Sequence, residues 1–81
     1  MSWNYRIVKT SSGGEDEFGI HEVYYDNHGN LKSYSEDPVS PLGSTLEELK
    51  GDFSHFQVAF EKPVLTPDDF LRSQNDEEFP V

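Results

Sequence analysis

The chain alternates apolar and polar positions almost from its first residue. Across residues 3–10, Trp3, Tyr5 and Ile7 fall on one face, while Asn4, Arg6 and Thr10 fall on the other with Val8. A period of two predicts a half-buried strand. Residues 17–26 are rich in aromatic and β-branched types and predict a second strand. Alternation slips inside it, because Phe18 and Ile20 share one face while Val23 and Tyr25 share the other. A β-bulge near His21–Glu22 would return all four to a common face. Ser11-Ser12-Gly13-Gly14-Glu15-Asp16 reads as a flexible loop between the two strands. Asp26-Asn27-His28-Gly29 has Asp at the first and Gly at the fourth position of a type I turn, where Gly29 is free to take a positive φ. The chain then returns as a third, shorter strand over residues 30–35.

Beyond Pro38 and Pro41, each of which biases its preceding residue away from helix, the period lengthens. Leu46, Leu49, Phe53, Phe56 and Phe60 are spaced 3, 4, 3 and 4, which aligns them on one helical stripe. The helix is expected from about 45 to 62, ended by Pro63. Ser44 with Glu47, or Thr45 with Glu48, supplies a capping box. Leu49, Phe53, Phe56 and Phe60 are expected to be buried against the sheet. Thr66-Pro67-Asp68-Asp69 opens a second, short helical stretch, with Thr66 as cap, Pro67 at the first helical position and two acids complementing the dipole. The remaining polar residues, among which Phe79 is the one large apolar side chain, predict a disordered acidic tail. The fold class expected is α+β: a three-stranded antiparallel sheet packed on one main helix, followed by a short C-terminal helical turn. Residues 1–72 form the single domain and 73–81 the tail. In a variant of this plan, Pro63-Val64-Leu65 is a true fourth strand and the terminal helix docks on the same core.

Composition narrows the chemistry. A chain of 81 residues makes one small domain, which buries roughly two thirds of its unfolded surface. The chain has no cysteine, which excludes disulfides, thiolate metal sites and a cysteine nucleophile, and suits a reducing compartment. No signal-peptide core opens the chain, and no run approaches the roughly 20 apolar residues that span a bilayer, so a soluble cytoplasmic protein is expected. Sixteen acids against six bases give a net charge of −10. That field repels phosphate backbones and anionic lipid surfaces, so nucleic-acid and membrane binding are disfavoured and a basic protein partner is favoured. Nothing in the pattern specifies an oligomeric state.

The densest run of functional side chains is HEVYYDNHGN, residues 21–30. His21, Glu22, Asp26 and His28, with His55 further on, are all capable of ligating a metal. Their spacing matches no zinc pattern, since Tyr25 stands where His-Glu-x-x-His needs its second histidine. The nucleophile elbow G-x-S-x-G is absent. Gly13-Gly14 is not followed by the helix start and lysine of a phosphate loop. Carboxylate pairs suited to acid–base work on a sugar occur by chance among sixteen acids. No catalytic residue, metal site or cofactor is therefore expected. A small metal-binding protein or enzyme centred on His21, Glu22 and His28 stays as an alternative.

Aromatic residues are in excess. Trp3, Tyr5, Tyr24, Tyr25 and Tyr34 crowd the strands, and one helix covers only one face of a sheet. Trp3, Tyr24 and Tyr34 are the candidate partner-binding residues, as Tyr and Trp are common interface anchors. Ordinary cross-strand aromatic pairing is the plainer account of the same residues. The leading expectation is a non-enzymatic acidic protein-binding module. A nucleic-acid mimic that inhibits a basic protein is the alternative among binding functions.

Gly43-Ser44-Thr45-Leu46-Glu47-Glu48-Leu49, placed after three strands, resembles the helix opening Gly-Thr-Leu-Glu-Glu-Ala of HicB-type antitoxins. In that family a strand-rich amino-terminal part of a partial dsRBD-like β-β-β-α fold precedes this helix. The resemblance covers roughly residues 3–62 and implies a partner-binding, antitoxin-like module. The motif mostly encodes helix capping. The family's carboxy-terminal DNA-binding domain has no counterpart after Pro63, and its proline-and-glycine stretch is replaced by residues 37–43. The wording of the chain is also similar to small uncharacterised bacterial proteins.

Overall fold

A computed structural model describes the backbone of residues 2–78 and the side chains of residues 2–73. Phe79, at the end of the expected tail, lies outside the described residues. The α+β architecture is as the pattern predicts. β1 (Ser2–Ser12), β2 (Glu15–Tyr25) and β3 (Leu31–Tyr34) form an antiparallel sheet in the order β1-β2-β3. α1 (Leu46–Gln57) leads into a 3-10 turn (Val58–Glu61), and α2 (Pro67–Glu78) follows. Continuous helix was expected to about residue 62; instead the last turn tightens, a common way for a helix to end. α2 runs beyond the short turn expected of it, into the stretch assigned to the tail.

The expected flexible loop at residues 11–16 is a tight hairpin. Gly13 and Gly14 take φ of 62° and 85°, and two successive left-handed residues give a connection whose twist matches the flanking strands. Ser11 and Ser12 consequently pair with Asp16 and Glu15. At the other hairpin, Asp26 Oδ1 accepts the N–H groups of His28 (2.8 Å) and Asn30 (2.9 Å), and Gly29 takes φ 82°. That turn follows the sequence reading.

The β1–β2 ladder is unbroken from Ser2↔Tyr25 to Ser12↔Glu15, so there is no bulge near His21–Glu22. The irregularity falls between Tyr24 and Tyr25, opposite β3. Phe18 and Ile20 therefore do face away from Val23 and Tyr25. No bulge is needed, because helices lie against both faces of the sheet.

On one face Val8 and Val23 pack with Leu65 and Phe70, flanked by Tyr25, Leu31 and Tyr34. This is the face of Asn4, Arg6 and Thr10, and α2 covers it. Leu65 brings α2 into place through a single parallel bridge to Val8: its N–H donates to Ile7 O (2.9 Å), and its carbonyl accepts from Lys9 N–H (2.8 Å). Pro63-Val64-Leu65 is thus attached at one point and is not a full strand. Thr66 then opens α2, with Asp69 reaching back to accept the Thr66 N–H (2.8 Å).

On the other face, Tyr5 and Ile7 of β1 lie beneath Phe56 and the 3-10 turn, where Ala59 is fully buried. The expected burial of the α1 stripe is corrected here. Phe56 is buried, but Leu46 is 65% exposed, Phe53 53% and Phe60 71%, and Leu49 is also exposed. The reason is where α1 makes contact: the 3-10 turn, not the body of the helix, carries the main packing on β1. The preceding loop occupies part of the helix instead. Gly43 lies so near that a Cβ there would sit 2.4 Å from Leu49 N, and Leu42 N–H donates to Asp52 Oδ2 (2.9 Å). Of the two possible capping pairs, Thr45 with Glu48 forms: Thr45 Oγ1 accepts the Glu48 N–H (3.1 Å), and Glu48 Oε1 accepts the Ser44 N–H (3.1 Å). Among the described residues, no helix is long and apolar enough to cross a membrane.

Candidate functional site

Successive side chains of a strand point to opposite faces, and this disperses the HEVYYDNHGN cluster. His21 turns to the same face as Arg6, where it is buried, donates from Nδ1 to Ser35 O (2.8 Å) and meets Tyr34 edge-on at 5.5 Å. Glu22 turns to the other face and accepts the Tyr24 hydroxyl. His28 stands exposed on the hairpin tip, and the Asp26 carboxylate accepts backbone N–H groups of the turn. Among the described residues, no group of three or more His, Cys, Asp or Glu is gathered closely enough to hold a metal ion.

The three candidate partner-binding residues divide. Trp3 and Tyr24 are direct cross-strand neighbours, so they share the α1 face of the sheet. Tyr34 pairs with Val23 and therefore lies on the opposite face. There its ring is 4.8 Å from that of Phe70, and it flanks the core. Tyr34, expected among the partner-binding residues, thus occupies the face that α2 covers.

Trp3 heads a row of rings. It meets Tyr5 edge-on at 5.2 Å, and Tyr5 meets Phe56 at 4.5 Å. Trp3 itself is 53% exposed. Beside it opens a cleft of about 440 Å³ lined by Trp3, Asn4, Tyr5, His55, Val58 and Lys62. A second groove, about 430 Å³, lies over the cross-strand pair Ile7 and Ile20, with Phe18, Phe60 and Val64 at its sides. The 3-10 turn contributes to both, Val58 to the first and Phe60 to the second. Sequence reasoning missed the second groove. Its signal was present in Phe18 and Ile20, whose phase differs from that of Val23 and Tyr25.

Glu22 and Asp52 bring negative charge to the Tyr5 side of this face, while Lys62 lines the first cleft and Lys9 lies over the Phe18 ring. Burial raises the Tyr5 pKa above its ordinary value, and the negative charges of Asp52 and Glu22 raise it further. The hydrogen bond to Glu22 raises that of Tyr24, with desolvation and the Glu22 charge adding to it. Both phenols stay protonated through the neutral range. The face therefore offers apolar area, aromatic rings and charges of both signs.

The chain matches no protein-family model, no curated protein and no solved structure.

Proposed function

We propose that this chain is a non-enzymatic, acidic protein-binding module that docks a basic protein partner on the sheet face carrying Trp3 and Tyr24. The observation that carries the reading is a contrast on one small molecule. Trp3, Phe18 and Phe60 are each more than half exposed on the same side, in a chain of net charge −10. Exposed apolar area gathered on one side in this way marks interaction surfaces. A net negative field favours a positively charged partner and speeds encounter. The β-β-β-α order supports the same direction by its resemblance to HicB-type antitoxins, as analogy alone. The absence of cysteine supports a reducing compartment such as a bacterial cytoplasm.

Capture from a cell lysate by the wild-type chain and by Phe60→Glu and Trp3→Ala variants tests this. Folding of each is checked beforehand by circular dichroism. The expected result is a protein held by the wild type and by a His28→Ala control but lost from both surface variants. Equal capture by all four chains would place the binding surface elsewhere.

A further inference from the structure

We propose that Arg6 anchors a second binding pocket, on the α2 side of the molecule, for a carboxylate carried on a small apolar body. The starting observation is a buried cation without a counter-ion. Arg6 is 8% exposed. Its Nη1 donates to the Tyr25 hydroxyl (3.0 Å) and its Nη2 to Pro63 O (2.8 Å), both neutral acceptors. Its Nε–H is buried with no hydrogen-bond partner, and among the described residues no carboxylate forms an ion pair with it. A guanidinium has five N–H donors, so two are used and three are left. Burying an unpaired charge is costly, and the cost falls when an anion joins it.

The surroundings hold the guanidinium in place and leave room beside it. The Tyr25 hydroxyl that accepts from Arg6 itself donates to Asn4 Oδ1 (2.9 Å), which restrains the group. Arg6 lines an open pocket of about 540 Å³ together with Arg72, Asp69, Leu31, Pro63 and Leu65. Asp69 does not neutralise Arg6. Its Oδ1 accepts from Arg72 (2.5 Å), and its Oδ2 accepts from the N–H and hydroxyl of Thr66 (2.8 and 3.2 Å). Two guanidinium groups thus share the pocket with one carboxylate that is already engaged. This is a local positive excess on a strongly negative chain.

The class of ligand follows from that charge and from the lining. Arginine binds both carboxylates and phosphates through paired N–H donors. A chain of −10 repels a phosphate, with its charge near −2, more than a singly charged carboxylate. Leu31, Pro63 and Leu65 give an apolar body something to cover. The pocket is on the opposite side of the sheet from Trp3, so the inference stands apart from the proposed protein-docking face.

Nuclear magnetic resonance of the ¹⁵N-labelled chain tests it, with sodium phenylacetate, phosphate and chloride added at matched ionic strength. The Arg6 Nε–H signal is expected to shift saturably with phenylacetate, more weakly with phosphate and not specifically with chloride. Arg72→Ala should weaken phenylacetate binding several-fold without unfolding the chain, and Trp3→Ala should leave it unchanged. Shifts with phenylacetate that do not saturate and match those with chloride would reduce Arg6 to a strut between Tyr25 and Pro63. Tighter binding of phosphate than of phenylacetate would overturn the ligand class, and an unchanged affinity in Arg72→Ala would overturn the location.

Discussion

The ring of Tyr5 lies 4.5 Å from that of Phe56 at an interplanar angle of 58°. Through this contact α1 is pinned to the sheet, while Phe53, one turn earlier, is half exposed. Phe56→Ala should therefore cost about 3–5 kcal/mol. That is a large share of the stability of so small a domain. Phe53→Ala should cost less than about 1 kcal/mol, as surface changes do. Urea denaturation of the two variants separates them, and equal losses would mean that the whole stripe is packed.

Phe70 is the corresponding anchor of α2, buried with Val8, Val23 and Leu65. Phe70→Ala should destabilise by about 3–5 kcal/mol. It should also increase exposure of the Arg6 and His21 side chains, which lie on the same face. Thermal melting measures the first effect, and hydrogen exchange of the Arg6 and His21 side-chain N–H groups the second.

Two glycines close in sequence should respond with opposite sign. A Cβ on Gly43 would meet Leu49 N at 2.4 Å and the Glu48 carbonyl carbon at 2.8 Å, both backbone atoms. The start of α1 would have to move, and overpacking of this kind costs about 1–3 kcal/mol. Gly51 lies inside α1 with nothing within 4 Å of a Cβ. Gly51→Ala should stabilise by about 0.5–1 kcal/mol. Melting temperatures of the pair provide the check.

The Asp69 carboxyl is held below its ordinary value, first by the Thr66 N–H; burial opposes this, and Arg72 and the Thr66 hydroxyl lower it further. A depressed carboxylate contributes stability above its unfolded value of about 3.9, and loses it as pH falls through the lower folded value. Asp69→Asn should cost about 1 kcal/mol at neutral pH, the scale of a lost cap. The gap from wild type should shrink steadily below about pH 4. A gap independent of pH would mean that the charge contributes nothing.

Trp3, Tyr24 and Tyr34 should separate into two behaviours. Trp3→Ala and Tyr24→Ala should leave the melting temperature nearly unchanged and raise the dissociation rate from a partner docked on that face. Tyr34→Ala should lower the melting temperature, since its ring packs against Phe70 and His21. Raised salt should slow association, because the −10 field acts mainly on encounter. Surface plasmon resonance and melting on the same three variants decide between the two behaviours.

What the sequence alone determined is local. The Asp26–Gly29 turn and the Thr66 start of α2 depend on side chains within four residues of the groups they satisfy, so spacing suffices to read them; spacing offered Ser44 or Thr45 as the cap of α1, and the fold chose Thr45. The alternation of β1 was equally legible, because a period of two sorts side chains onto two faces. Which face is covered, and by what, is not contained in that period. The period placed Arg6 on the face of Val8, but only α2, lying over that face, makes Arg6 a buried residue. Tyr34 looked like an outward ring until Val23 became its cross-strand neighbour. Phe53 and Phe56 share one helical stripe, and only the docking point of the 3-10 turn decides that one ring is buried and the other is not. Residues 18–25 suggested a bulge only if one buried face was assumed; two covered faces make the unbroken ladder the lower-energy arrangement. Burial depends on contacts between segments distant in sequence, which hydrophobic spacing orders along each element but does not assign to a partner.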